Sequence, residues 1–125
     1  MQLNDWLLLA VAGGAGSGLR ALAVLWLTDR RAVQLWKTLM GINTFGSMAA
    51  GVLVARLAAG DGLQPVDIAV TGFLGGFTTF SGFAVEVVEL WQRGMRRTSL
   101  RFAFGSVVLS GIAAHTGYFL AGGVS

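Results

Sequence analysis

Thr71-Gly72-Phe73-Leu74-Gly75-Gly76-Phe77-Thr78-Thr79-Phe80-Ser81-Gly82-Phe83 is the stretch on which the fold turns, and no charged residue falls between Asp67 and Glu86 around it. A bilayer core of about 30 Å is crossed by roughly 20 apolar residues in helix, so this run is of membrane-spanning length. Its glycines and β-branched threonines weaken helix propensity where a regular helix would satisfy every backbone group. The conflict predicts a helix broken near residues 75–79. Unwound backbone at that depth is tolerated where it is buried in protein or lines a cavity, and its freed carbonyls can hold a cation.

Further charge-free gaps run from Lys37 to Arg56 and from Arg101 to the C-terminus. Hydrophobic residues make up 54% of the 125-residue chain and charged residues 12%, against about 25% charged in soluble domains. The pattern predicts an all-α membrane protein with four transmembrane helices, at about residues 6–27, 35–56, 66–90 and 102–122, forming one domain over residues 1–125. The third of these is the one expected to be broken mid-membrane. Residues 1–5 carry no Lys or Arg, so the first span is expected to stay in the mature protein rather than act as a cleaved signal. Pro65 suits the first turn of the third span.

The formal charge is +3, yet the bases lie in two short loops, Arg30, Arg31 and Lys37, then Arg93, Arg96, Arg97 and Arg101. Bases flanking apolar spans set topology, so no nucleic-acid partner is expected. Four spans place these seven bases on one side and only Arg56 on the other, which predicts that both termini lie outside the cytoplasm. There is no cysteine, and hence no disulfide or thiolate metal site. His115, the only histidine, has no ligand partners at metal-binding spacing and reads as structural. No catalytic set is visible, and the glycines between Gly13 and Gly18 open no βαβ unit, so an enzyme is not expected.

A few residues do not fit a merely apolar bundle. Arg20 lies inside the first span, where a charge costs at least about 2.5 kcal/mol, so it either snorkels or serves as an anion-attracting vestibule charge. Asn43 is mid-span and offers two amide donors, for an interhelical hydrogen bond or for a permeating ion. The hydroxyls of Thr78, Thr79 and Ser81 either bond back to the chain or face a cavity. Phe80 and Phe83 share one helix face, continued by Glu86; ring edges turned into a narrow path would attract an anion without a buried formal charge. Ser106 and Ser110 form a similar pair on the fourth span. Small residues at four-residue spacing, Gly14 and Gly18, Gly46 and Ala50, and the two serines, suggest close helix packing.

The stretch from Gly72 to Phe83 with Glu86 after it, the glycines leading to Arg20, and Asn43 with Gly46 together resemble the CrcB/Fluc family of small fluoride channels over the whole chain. The resemblance implies an antiparallel dimer in a bacterial-type inner membrane, with two narrow fluoride pathways and a structural sodium ion (Na+) on the dimer axis. It implies that Phe80 and Phe83 line the pathways beside Thr79 and Ser81, with Asn43 as a fluoride donor and Ser110 on the polar side. It also implies that the carbonyls of Gly75 and Thr78 hold the sodium and that Arg20 draws anions to the entrance. The partner would be a second copy or an oppositely oriented relative, since the seven-to-one charge bias is unlike the balanced loops of a chain that inserts both ways. The sequence departs from the family pattern at Gly82 and Ala84, where hydroxyl residues are usual, and at Leu39, where threonine is usual and Thr38 is one step away. A small multidrug or guanidinium exporter would carry an acid in its first helix where this chain has Arg20. A non-transporting subunit would leave the glycine-threonine break without a reason.

Overall fold

The computed structural model describes residues 1–60 and 62–123. The chain folds as α1 (Leu3–Leu25), which passes into a π-helical turn (Trp26–Arg30), then α2 (Leu35–Ala58), α3 (Pro65–Phe77), α4 (Phe80–Gln92) and α5 (Arg96–Leu120). With residues 65–92 taken as one run, four helical runs are long and apolar enough to cross a membrane. Large apolar side chains such as Val11, Leu22, Phe104, Val107 and Leu120 stand exposed on the outside. For a helix that faces hydrocarbon rather than water this is the expected surface.

The helix ends follow local chemistry. Pro65 occupies the first turn of α3, and Asp67 reaches back to accept the Gln64 backbone N–H at 2.9 Å. The fourth helix starts at Arg96 rather than near residue 102. Charge ends the apolar span but not the helix: Arg96, Arg97 and Arg101 extend α5 beyond the bilayer-sized run.

Two helix pairs carry the packing, α1 against α3 and α2 against α5. Their contacts are made by glycines other than the four-spaced pair Gly14 and Gly18, around which a Cβ would find open space. A Cβ on Gly16 would strike the Phe73 carbonyl, one on Gly72 the Leu9 carbonyl, and one on Gly76 the Gly13 carbonyl. In the other pair, a Cβ on Gly51 would strike the Ala114 carbonyl and one on Gly117 the Met48 carbonyl. Spacing alone names a small-residue stripe; which stripe is used depends on how each helix is rotated. Gly46 is filled from across the interface by the Thr78 methyl group.

Near one end, Leu39, Leu90 and Phe102 form a buried cluster joined by Trp36, Phe83 and Val87. Toward the other end, α2 and α3 are tied by Arg56 and Asp67, 3.0 Å apart, with the Asp67 side chain 3% exposed and that of Arg56 53%. Removing Arg56 strands a carboxylate that is buried, whereas removing Asp67 strands a half-exposed cation that water can reach and takes the acceptor from the Gln64 N–H. Arg56→Ala is therefore expected to destabilise by about 3 kcal/mol and Asp67→Ala by about 1–2 kcal/mol, measured by thermal unfolding in detergent.

Candidate functional site

The α3 helix continues through Gly75 and Gly76, and the chain becomes extended only at Thr78 (φ −79°, ψ 158°) and Thr79 (φ −149°, ψ 119°) before α4 begins. The two glycines stay helical: Gly76 lies against α1, whereas Gly75 is exposed with open space around it.

Asn43 of α2 fastens the extended pair. Its Nδ2 donates to the Thr79 carbonyl at 3.1 Å, and its Oδ1 accepts the Thr79 N–H at 2.9 Å. One side-chain amide thus pairs with both the N–H and the C=O of a single residue, as a neighbouring β-strand would. One Nδ2 hydrogen is used in the clamp, leaving the second as the remaining donor.

The hydroxyls divide their work. Thr78 bonds back to the Leu74 carbonyl at 2.8 Å, which closes the last turn of α3. Thr79 Oγ1 accepts the Gly82 N–H at 3.0 Å and caps α4. Ser81 Oγ lies 3.3 Å from Thr79 Oγ1 and is exposed.

The extended residues between α3 and α4 also free carbonyls. A continuous helix would aim the Thr79 N–H at the Gly75 carbonyl and the Gly82 N–H at the Thr78 carbonyl. Here those donors go to Asn43 Oδ1 and Thr79 Oγ1. The Gly76 carbonyl is taken up from α1, by Ser17 Oγ at 3.3 Å and Arg20 Nε at 3.2 Å. Ser17 escaped the sequence reading; its only signal is its place one helical turn ahead of Arg20, on the same face of α1.

These elements border a groove of about 470 Å³ between α2, α3, α4 and α5. Asn43, Gly75, Thr78, Thr79, Phe80, Phe83, Ser106 and Ser110 all line it; Arg20 and Ser81 do not. Arg20 instead approaches the end of α3 from the α1 side. Phe80 is 81% exposed, with its ring 5.8 Å from that of Phe83 and tilted by 39°. Ser106 Oγ is buried without a hydrogen-bond partner among the described residues.

Electrostatically, the carbonyl end of α3 and the N–H end of α4 meet at Thr78 and Thr79. Opposite dipole ends at one point favour a cation on the carbonyl side and an anion on the amide side. Among the groove's lining residues there is no charged side chain. Asn43, the serine hydroxyls and the ring edges offer neutral donors for a small ion.

The family described as CrcB-like protein, camphor resistance (CrcB), matches residues 7–118. A fluoride-specific ion channel FluC from Mesorhizobium japonicum is 40% identical over 122 residues, covering 92% of this chain and 94% of that protein. One from Paracoccus denitrificans is 39% identical over 107 residues, covering 86% of each. A third, from Novosphingobium aromaticivorans, is 40% identical over 115 residues, covering 89% of this chain and 87% of that protein.

Proposed function

Because the chain belongs to the CrcB family, matched from residue 7 to residue 118, we propose that it is a fluoride-selective ion channel, a passive pore rather than an enzyme, in a bacterial inner membrane. The observation that carries the reading is the groove itself. One uncharged cleft gathers the Asn43 clamp, the Phe80–Phe83 pair and Ser110 around a break in a helix.

Fluoride is small and tightly hydrated, so a pathway must replace its water with close donors. The free Asn43 hydrogen, the Ser106 and Ser110 hydroxyls and the edges of Phe80 and Phe83 are such donors, and none brings a formal charge that would trap the ion. Thr79 acts by capping α4 and presenting Phe80, and Ser81 supports Thr79. Arg20 supports the break through Gly76 and adds a positive field on the α1 side, favouring anions over cations.

We read α3 and α4 as one span broken within the membrane. The exposed ring of Phe80 and the open groove call for a cover, and the reading supplies it with an oppositely oriented subunit, giving an antiparallel dimer with two pathways. The Gly75 and Thr78 carbonyls, deprived of their helical donors, suit a structural sodium ion: hard oxygen ligands, beside a glycine with open space around it. Bound there, sodium would neutralise the carbonyl end of α3.

A second reading concerns the partner. Seven bases stand at the end that holds the loops after α1 and α4, while the lone base near the opposite end, Arg56, is neutralised by Asp67. That asymmetry favours insertion in one orientation and pairing with an oppositely oriented relative.

The test is efflux from liposomes loaded with fluoride or chloride. Fluoride is expected to leave quickly while chloride stays. Phe80→Ile, which keeps bulk but removes the ring edge, is expected to slow fluoride release at least about tenfold, equivalent to roughly 1.4 kcal/mol of ion stabilisation. Equal release of both halides would reject the selective channel. No release from the purified chain, with release restored by adding an oppositely oriented relative, would select the second reading.

A further inference from the structure

The groove ends at Phe83, well short of the basic end of the bundle, so an ion leaving it needs a further station. Resting on the fluoride-channel reading, we propose that the Trp36 indole N–H is that station, an anion-binding donor at the basic end of the pathway.

A continuous series of ring contacts leads from the groove to this residue. Phe80 lies 5.8 Å from Phe83, Phe83 lies 5.2 Å from Phe102, and Phe102 lies 6.3 Å from Trp36. At the far end of the series Trp36 borders a cavity of about 200 Å³ between α2 and α4, together with Gln34, Glu86 and Arg93. Trp36 Nε1 is buried and has no hydrogen-bond partner among the described residues. Indole nitrogen is a donor only, and leaving such a donor unpaired costs about 1–3 kcal/mol. A small anion satisfies it.

The surroundings fit transit rather than trapping. Trp36 is in the first turn of α2, at the positive end of that helix dipole. Lys37 Nζ lies 5.3 Å from the centre of the indole ring. On the cavity itself stand the Glu86 carboxyl and Arg93, whose guanidinium is paired with Glu89 at 3.1 Å. A single neutral donor opposed by a carboxyl holds an anion weakly, as conduction requires: strong enough to enter, weak enough to leave. The station also lies near Leu39, the position at which the expected threonine is missing. The indole supplies a donor where that side chain cannot.

Trp36→Phe keeps a ring against Phe102 and removes the N–H together with one ring of the indole. In the conducting protein it is expected to cut fluoride efflux about tenfold, as loss of a hydrogen bond to a charged group would. The direct measurement is on the wild-type protein: the indole ¹⁵N–¹H resonance of Trp36, assigned by its absence in Trp36→Phe, is expected to move with added sodium fluoride and not with sodium chloride. The resonances of Trp6, Trp26 and Trp91 are the internal controls. A Trp36 resonance that stays still while the same preparation releases fluoride overturns the proposal and leaves the channel intact. Trp36→Phe conducting at the wild-type rate does the same. A wild-type protein that releases no fluoride, alone or with an oppositely oriented relative, removes the channel reading and this station with it.

Discussion

Asn43→Ala is expected to abolish measurable fluoride efflux and to destabilise the protein by about 3 kcal/mol, the larger part of it from the buried Thr79 N–H left without an acceptor. The side chain bonds both the C=O and the N–H of Thr79, at 3.1 and 2.9 Å. Without them the extended residues have no partner strand, and the Thr79 N–H can be satisfied only by turning back toward the Gly75 carbonyl. That would extend α3 by a turn, move the Thr79 cap and swing Phe80 out of line with Phe83. In Asn43→Asp a carboxylate keeps the acceptor for the Thr79 N–H but sets its second oxygen against the Thr79 carbonyl in a groove without a counter-charge, so efflux is expected to stay lost and stability to stay below wild type. Thermal unfolding and liposome efflux on the same preparations read the two effects. Wild-type flux in Asn43→Ala would show that the clamp is not part of the pathway.

Gly76→Ala is expected to cost more still in folding, at least about 3 kcal/mol, because its Cβ would overlap the Gly13 carbonyl and press on the Ser17 N–H. Both neighbours are backbone of a packed helix and cannot swing aside. The whole α1–α3 contact would have to separate, and with it the seat of Ser17 and Arg20 on the Gly76 carbonyl. Gly51→Ala is the counterpart in the α2–α5 pair, where the Ala114 carbonyl is in the way. Gly14→Ala and Gly18→Ala meet nothing within the chain and are expected to change unfolding of the subunit by less than about 0.5 kcal/mol. A loss on dimer formation at Gly14 or Gly18, with subunit folding unchanged, would place those two glycines at the partner. Size-exclusion chromatography beside thermal unfolding distinguishes these cases.

The number and length of the spans were legible in the sequence because hydrocarbon enforces them residue by residue: a charge is excluded and an apolar run of fixed length is required. The weakness between Gly75 and Thr79 was legible as poor helix propensity. Its resolution was not, since propensity is a local sum whereas the point at which α3 gives way to α4 depends on which donors arrive from elsewhere. Gly75 and Gly76, the worst helix formers of the run, remain helical, and the chain opens at Thr78 and Thr79, which Asn43 meets across 36 residues of sequence.

The same division separates Asn43 from its role. An amide in mid-membrane announces that it must have a partner; only the three-dimensional arrangement says that the partner is the N–H and C=O of Thr79 together. Arg20 announces a buried charge, and the fold gives it the Gly76 carbonyl. The glycine stripes are the sharpest case. Four-residue spacing fits Gly14 and Gly18 as well as it fits Gly72 and Gly76, and helix rotation, set by the packing of the whole bundle, puts only the latter pair against another backbone. By itself the sequence determined where the chain can leave water, because transfer energy is a property of each segment alone. The tertiary structure decided which polar groups are paired, which glycines are contacts and which rings face the groove, because those depend on distances between segments.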